Sequence, residues 1–202
     1  GKCSMSSSVI LLFGGQSSER RVSVASAQYM AQVLPEAMGW FWDPDGRVSE
    51  VSRAALIAHE NPFKNDFKPT KTSKYKSLTE AVAEEGLTEA PRVVIMGLHG
   101  GSGENGEAQS IFEAYRVPFT ASGAEASATA FKKDAAKKLM REAGIRVAPA
   151  LLVPAGDVKK GRAVLDEMVA RYERVVLKPN ADGSSHGLFI VENEIQKENA
   201  LF

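Results

Sequence analysis

The stretch RVVIMGLHGGSGENGEAQSIFEAYR, residues 92–116, decides the fold. It opens with an apolar run that predicts a buried strand, and it closes with a segment that predicts a helix. The turn HGGSGENG, residues 99–106, lies between them and contains four glycines. Glycine allows positive φ and lets backbone N–H groups face a ligand. The turn therefore predicts either a tight strand-to-helix connection or one wall of a binding site.

The start of the chain repeats this order of strand, glycine turn and helix. SVILLFGG, residues 8–15, predicts a buried parallel strand. Glu19 is expected in the first turn of the helix that follows, with Ser17 or Ser18 as its cap. The expected apolar face of this helix consists of Val22, Ala25, Tyr29 and Val33.

Strands and helices continue to alternate along the first part of the chain. Residues 39–48 predict a second strand and a turn, and residues 59–78 predict a loop before another helix. Residues 117–123 predict a strand and a turn. This order implies an α/β domain with a parallel sheet and helices on both faces. Ligands in such sheets bind beyond the carboxyl ends of the strands, where both glycine-rich turns lie.

The pattern changes near residues 122–125, where we place a domain boundary. Beyond it the sequence predicts a basic helix, a second helix, a strand, a glycine-serine loop and a final strand, at residues 126–144, 157–173, 174–179, 180–187 and 188–193. The expected organisation is a disordered start or expression remnant at 1–8, a first domain at 9–123 and a second at 124–202.

Composition excludes several classes of protein. The 202 residues are 44% hydrophobic and 25% charged, with a formal net charge of zero, which indicates neither a nucleic-acid nor a membrane partner. The opening GKCSMSSS lacks the apolar core of a secretory signal. A single cysteine, Cys3, cannot form an internal disulfide, which favours a reducing, cytoplasmic location.

Glu19 and His99 are the polar candidates at the two glycine-rich turns. A glutamate at a helix start interacts well with the helix dipole, so Glu19 is either a capping residue or a carboxylate aimed at a bound ammonium group. His99 is either structural or a partner for a substrate carboxylate or amine. The dinucleotide fingerprint and the P-loop motif do not occur in the sequence.

Lys178 opens a third candidate turn, KPNADGSSHG. The lysine offers positive charge, while Ser184, Ser185 and the backbone offer hydrogen-bond donors, which is typical of a phosphate cradle. The alternative is a solvated hairpin loop. The basic helix adds five cations, mostly expected on a solvated face with one or two able to reach a phosphate: Lys132, Lys133, Lys137, Lys138 and Arg141.

Four ordered segments together resemble the motifs of the D-alanine–D-alanine ligases, a family of the ATP-grasp superfamily. The segments are GGQSSERRVS at 14–23, LHGGSGENGEAQ at 98–109, PFTASGAEASATAFKKDAAK at 118–137 and KPNADGSSHG at 178–187. The resemblance covers residues 9–193. It implies a Rossmann-like pre-ATP-grasp domain followed by the first α+β subdomain of an ATP-grasp fold.

The resemblance also implies an activity. ATP would phosphorylate the carboxylate of a first D-alanine, and the amine of a second would attack the acyl phosphate, making a dipeptide for peptidoglycan precursors. Glu19 would orient the ammonium group of the first D-alanine and hydrogen-bond towards Ser184, which makes these two the expected catalytic residues. His99 would line the same amino-acid site.

The implied ATP site uses the second half of the chain. Lys133 and Lys178 would contact ATP phosphates, and Ser184 and Ser185 would close over the γ-phosphate. Magnesium would stabilise the charge of the moving phosphoryl group. No metal ligand is expected in this sequence, because the family's acidic ligands follow the part that these residues resemble. The resemblance further implies a homodimer formed through the first domain.

Several positions depart from the family motifs. An acidic residue is usual at Lys132, an aspartate at Asn105, a glutamate at Arg21 and a small apolar residue at His186. The family's second D-alanine site also has no counterpart here, so we expect no ligase turnover from these 202 residues alone. The alternatives are a D-alanine–D-lactate or D-serine ligase, a non-catalytic ATP-grasp relic that binds nucleotide, and a generic doubly wound binding domain.

Overall fold

The chain folds into two compact units, Gly1–Ala128 and Thr129–Phe202. The structure, a computed structural model, describes residues 8–84 and 92–202. The disordered start expected at 1–8 lies outside the described residues, apart from an exposed Ser8.

The first unit contains a four-stranded sheet. Its strands are β1 (Val9–Gly14), β2 (Met38–Trp42), β3 (Val48–Val51) and β4 (Val93–Met96). They lie in the order β3-β2-β1-β4, and β1 runs parallel to both β2 and β4. Strand β3 is antiparallel to β2, because the Asp-Pro-Asp-Gly turn reverses the chain between them.

Helices cover both faces of this sheet, as the alternation predicted. The helices of the unit are α1 (Arg20–Val33), α2 (Arg53–Ile57), α3 (Leu78–Glu84), α4 (Glu107–Ala114) and α5 (Ala124–Phe131). Helix α5 continues three residues beyond Ala128, the last residue of the unit. Successive strand residues point to opposite faces, so Leu11 and Phe13 pack with α1 and α2. Ile10 and Leu12 pack instead with α3 and α4.

The order of the strands creates a topological switch point. From β1 the chain passes through α1 to β2 on one side, and it returns later to β4 on the other side of β1. In open α/β sheets, ligands bind at the carboxyl ends of the strands where the order reverses in this way. That position lies between β1 and β4, and both glycine-rich turns follow these two strands.

The predicted apolar face of α1 was wrong. Val22, Tyr29 and Val33 are 37%, 69% and 60% exposed. The buried face carries small side chains instead, namely Ser23, Val24, Ala27 and Ala31. Large aromatic side chains of β1 and β2 already fill the space above the sheet, so a helix packed there presents small residues to them. The strand expected at 117–123 is reduced to one parallel bridge between Phe119 and Val94.

The second unit is an α+β arrangement around a two-stranded hairpin. It contains α6 (Lys133–Glu142), α7 (Val158–Tyr172), β5 (Val175–Leu177), β6 (Phe189–Val191) and α8 (Glu194–Leu201). Strand β5 pairs with β6 in antiparallel fashion. Leu165 and Val191 are the buried apolar residues of this unit.

Two predictions for the second half need correction. The basic helix expected at 126–144 is two helices, because Lys132 adopts an extended backbone with φ −87° and ψ 110°. The final strand was expected to end the fold, but α8 follows it. Asn193 caps α8 by accepting a hydrogen bond from the Gln196 N–H.

None of the helices in the described parts of the chain is both long and apolar enough to cross a membrane.

Candidate functional site

Ser23 joins the two glycine-rich turns of the first unit. Its buried hydroxyl accepts a hydrogen bond from the Gly14 N–H at 2.8 Å and donates one to the Gly97 carbonyl at 2.6 Å. Gly14 ends β1, and Gly97 follows β4. A single helical side chain therefore holds the carboxyl ends of two parallel strands together, and the switch point is built on that contact.

Glu19 and Ser17 lie directly against Gly100. Gly100 has a φ of +68°, and a Cβ built on it would overlap Glu19 Oε2 and Ser17 Oγ. The Ser17 hydroxyl also accepts a hydrogen bond from the Glu19 N–H at 3.0 Å. The missing side chain at Gly100 thus leaves room for the Glu19 carboxylate beside the second turn.

Glu19 is the N-cap residue of α1, one residue earlier than predicted, and its side chain makes no capping hydrogen bond. An interaction of its carboxylate with the helix dipole stays an interpretation. Ser17 binds the N–H of Glu19 rather than one inside the helix. The carboxylate of Glu19 therefore serves contacts outside its own helix, beginning with the turn at Gly100.

His99 is half-buried and is held by α1. Its Nε2 lies 2.8 Å from the Ser26 hydroxyl. Within the described parts of the chain, Nδ1 has no hydrogen-bond partner. The imidazole therefore presents one nitrogen to α1 and keeps the other available for a ligand.

Polar side chains order the rest of the second turn. The Gly100 N–H donates to Glu104 Oε1 at 2.9 Å, and Asn105 Oδ1 accepts from the Glu107 N–H at 3.0 Å at the start of α4. Gln109 donates from Nε2 to the Gly103 carbonyl at 2.8 Å. Asn105 accepts the hydrogen bond from the Glu107 N–H as an aspartate would. Asparagine at this position, where the family motif has aspartate, therefore preserves the turn.

Four contributors to this site escaped the sequence reasoning: Ser17, Ser23, Ser26 and Gln109. Ser17 was considered only as a cap, and the other three were assigned no role. For Ser23 and Ser26 the available signal was a small polar residue on the helix that follows a glycine turn. Its importance depends on what the helix packs against, which local patterns do not reveal.

The second group of candidates surrounds the loop between β5 and β6. Ser184 and Ser185 are exposed and have φ values of +51° and +57°, and Lys178 is exposed just after β5. Lys133 donates from Nζ to the Asp182 carbonyl at 2.6 Å and from its backbone N–H to the Asn180 carbonyl at 3.0 Å. The start of α6 therefore holds the loop by its backbone.

Asn180 and Asp134 complete this attachment. Asn180 Oδ1 accepts from the Asp134 N–H at 3.0 Å, and Asn180 Nδ2 donates to Asp134 Oδ1 at 2.6 Å. The hydrogen bond from Asn180, followed by one from the Ala135 N–H, lowers the pKa of the Asp134 carboxyl. The aspartate after Lys133 thus anchors the phosphate-loop candidate.

Lys137 places a second cation close to Lys178. Burial, and next the positive charge of Lys178, lower the pKa of the Lys137 ammonium group. Its Nζ donates to the Ala148 carbonyl at 3.1 Å. Of the five cations in the basic segment, Lys133 and Lys137 are partly buried and have ammonium groups held by backbone carbonyls.

His186 is accommodated by the loop itself. Its Nδ1 lies 3.5 Å from Asp182 Oδ2, and Asp182 Oδ1 accepts from the Gly183 N–H at 2.8 Å. The histidine at this departure from the family motif thus has a local partner when it is protonated.

The structure gathers the predicted residues into two groups, one in each unit. Glu19 and His99 share the switch point of the first unit, while Lys133 binds the loop that carries Ser184 and Ser185 in the second. The hydrogen bond expected between Glu19 and Ser184 stays a prediction. Residues 8–84 and 92–202 contain no group of three or more His, Cys, Asp or Glu side chains arranged to hold a metal ion.

A doubly wound unit with its polar residues at the switch point, followed by a helix-bound loop, defines a class of small-molecule-binding α/β proteins. Comparison with known families is more specific. A family model described as the D-Ala-D-Ala ligase N-terminus matches residues 8–122. The chain therefore belongs to the D-alanine–D-alanine ligase family.

Named relatives agree with this assignment. A D-alanine–D-alanine ligase of Methylorubrum extorquens is 33% identical over 190 residues, which are 94% of this chain and 49% of the relative. One from Listeria welshimeri is 31% identical over 216 residues, covering 98% of this chain and 57% of the relative. The chain thus spans about half the length of the curated relatives it matches.

Solved structures confirm the fold class. The D-alanine–D-alanine ligase of Helicobacter pylori has a TM-score of 0.70 at 24% identity, covering 96% of this chain and 62% of that one. The VanG D-Ala:D-Ser ligase of Enterococcus faecalis has a TM-score of 0.68 at 22% identity, covering 96% and 57%. The chain has the parallel-sheet domain of these proteins followed by part of their ATP-grasp fold.

Proposed function

We propose that this chain supplies the first D-alanine site and the phosphate loop of an ATP-dependent ligase that joins two D-alanines. The placement of the Glu19 carboxylate against Gly100, beside His99 at the switch point, carries the proposal. A carboxylate there suits the ammonium group of an amino acid, and an imidazole with a free nitrogen suits its carboxylate. Family membership and the names of the relatives support the same reading.

The reaction divides into two balanced steps. An oxygen of the D-alanine carboxylate attacks the γ-phosphorus of ATP, and ADP leaves. The deprotonated amine of the second amino acid then attacks the carbonyl carbon and forms the peptide bond. The bond between that carbon and the phosphate oxygen breaks, and inorganic phosphate leaves with a proton from the nitrogen. Phosphorylation is needed because a free carboxylate is a poor electrophile.

The residues of the loop fit a polyphosphate. Lys178 and Lys137 supply positive charge. Lys133 donates from Nζ to the carbonyls of Asp182 at 2.6 Å and Asn180 at 3.5 Å, which leaves it one ammonium hydrogen. Ser184 and Ser185 offer hydroxyl and backbone donors on an exposed loop. Bound magnesium would neutralise phosphate charge, and its ligands are expected outside the 202 residues. Residues beyond this chain would also supply the site of the second amino acid.

Direct binding tests the amino-acid site on the chain itself. We expect D-alanine to shift the NMR resonances of the His99 ring and the Gly100 amide, with L-alanine producing smaller shifts. Glu19→Gln removes the charge at constant shape and should weaken binding about tenfold or more. Glu60→Gln, an exposed carboxylate on another loop, is the matched control. Equal binding by the Glu19 and Glu60 variants would contradict the assignment.

Turnover tests the whole reaction. We expect D-alanine-dependent phosphate release from a protein that continues this chain through the remaining half of its relatives, and none from the 202 residues alone. Parallel reactions with D-serine or D-lactate as second substrate separate the related ligases. Nucleotide binding without phosphate release would favour a non-catalytic relic.

We also propose that the protein is a cytoplasmic homodimer, on the family resemblance. Sedimentation of the 21.7 kDa chain should then give about twice that mass. A monomer at all protein concentrations would remove this part of the proposal.

A further inference from the structure

A separate cavity of about 700 Å³ opens on the α1 face of the first unit. The residues assigned above to the amino-acid site, including Glu19 and His99, do not line it. Its volume lies in the range of pockets that hold small metabolites. The cavity therefore needs an explanation independent of the ligase chemistry.

The lining of the cavity includes the hydroxyl of Ser49. Phe41 of β2 and Ser49 of β3 are directly paired across the strands and line the cavity with Phe67. Ser49 is 3% exposed, and its hydroxyl makes no hydrogen bond with any described residue. The hydroxyl oxygen is not sealed from solvent, so it can hydrogen-bond to a ligand atom that enters the cavity.

The rim of the cavity is more positive than negative. Its five cations are Arg20, Arg21, Arg47, Lys68 and Lys71, and its three carboxylates are Asp43, Asp45 and Asp66. Cations gathered around one opening repel each other unless an anion lies between them.

Within the described residues, existing ion pairs leave two of these cations, and one of the carboxylates, Asp43, without an ion-pair partner. Asp66 is shared by Arg21 at 2.9 Å and Arg20 at 3.4 Å, and Arg47 pairs with Asp45 at 3.4 Å. Lys68 and Lys71 have no ion-pair partner in the described parts of the chain. Arg20, Arg21 and Asp66 thus form an ion-paired part of the rim, and the two lysines remain available for a ligand.

We propose that this cavity binds a small molecule bearing several anionic oxygens, either a phosphate ester or a polycarboxylate. Lys68 and Lys71 neutralise its charge at the rim, and Ser49 hydrogen-bonds to the part that enters the cavity. Phe41 and Phe67 contact the apolar portion of the molecule. Because the rim is exposed to solvent, affinity falls as the salt concentration rises.

Pyrophosphate and citrate serve as probes for the two sources of anionic oxygen. Each is titrated into the 202-residue chain while amide resonances are followed by NMR. The expected result is a saturable shift of the Ser49 and Lys71 amides by at least one probe, and the probe that binds tighter identifies the anion class. Combined Lys68→Gln and Lys71→Gln should weaken that probe about fivefold. Ser49→Ala should weaken it about threefold.

Matched controls separate this site from general attraction to lysines. Combined Lys64→Gln and Lys76→Gln removes two exposed lysines of the same segment that do not line the cavity, and the affinity should stay within about twofold. Equal losses in the two double variants would overturn the proposal. So would shifts confined to residues 178–187, or the absence of shifts with both probes at about 10 mM. Because Glu19 is unchanged in these variants, D-alanine binding reports separately on the proposed function.

Discussion

At the scale of the residue, the absence of a side chain at Gly100 makes room for Glu19 and Ser17 beside the second turn. Its positive φ was predictable from a glycine-rich turn, but its closeness to Glu19 and Ser17 was not. Those residues are about eighty positions away and approach it because β1 and β4 are neighbours. The second turn can receive the Glu19 carboxylate because nothing projects from Gly100.

Gly100→Ala therefore tests packing at the site. The new Cβ would overlap two polar atoms, and alanine would have to adopt φ +68° and ψ 179°, a conformation essentially limited to glycine. We therefore expect the free energy of unfolding to fall by about 3 kcal/mol and D-alanine binding to be lost. Gly46→Ala is the control, because Gly46 has a φ of +94° with nothing within 4 Å of its Cβ position. It should cost about 1 kcal/mol.

Urea unfolding followed by tryptophan fluorescence measures both variants. The two tryptophans of the chain, Trp40 and Trp42, lie in β2 and report on the first unit. A similar loss of stability in the two variants would show that the positive φ alone causes the loss, and that Glu19 does not overlap the new Cβ at position 100.

At the scale of the element, the phosphate-loop candidate depends on the first turn of α6. The break at Lys132 was invisible in the helical pattern, because lysine and alanine are both good helix formers. The break frees the backbone N–H groups of Lys133 and Asp134, and the loop accepts them through Asn180. A residue that the family motif does not emphasise, Asn180, thereby orients the loop that carries Ser184.

Asn180→Ala should release this loop and raise the pKa of Asp134. The lowered pKa of Asp134 means that its ionised form favours the folded attachment above the ordinary aspartate pKa. That contribution is lost as the pH falls through the lowered value. Carbon-13 NMR titration of the carboxyl should show a higher pKa in the variant, because the largest of the causes that lower it has been removed.

Hydrogen exchange of residues 180–187 should quicken in the same variant. Asn193→Ala, which removes the cap of α8 in the same unit, is the control and should leave the pKa of Asp134 unchanged. An unaltered Asp134 titration in Asn180→Ala would mean that the side-chain pair does not exist in solution.

At the scale of the whole molecule, the two units differ in how they are stabilised. The first unit has two apolar clusters, one on each face of its sheet. In the second unit the buried apolar residues are Leu165 and Val191. At least half of the surface of Leu151, Leu152 and Ile190 is exposed. Its α7 and α8 are joined partly by ion pairs, with Lys197 contacting Asp166 and Glu198 contacting Arg162.

We therefore expect the second unit to unfold at a lower urea concentration than the first. Little apolar surface is buried there, and partly exposed ion pairs add little stability. Amide resonances of α7 and α8 should disappear before tryptophan fluorescence changes. A single coincident transition for both probes would contradict this expectation.

The sequence by itself determined the α/β class, the strands that end in glycine turns, and the family to which the chain belongs. These features are local: an apolar run, a glycine position and a motif can each be recognised without knowing their neighbours in space. The positions of Glu19, His99, Lys178 and Ser184 followed from motifs of this kind, although their roles stay predictions.

The tertiary structure alone decided which face of α1 is buried and what Ser23 and Ser26 do. Val22, Tyr29 and Val33 satisfy the helical period as well as the residues that are actually buried, so periodicity could not choose between the faces. The choice was made by the aromatic side chains of neighbouring strands, which leave room for small residues only. The cavity at Ser49 is likewise decided by tertiary structure, because its lining residues come from segments that meet only after the sheet has formed.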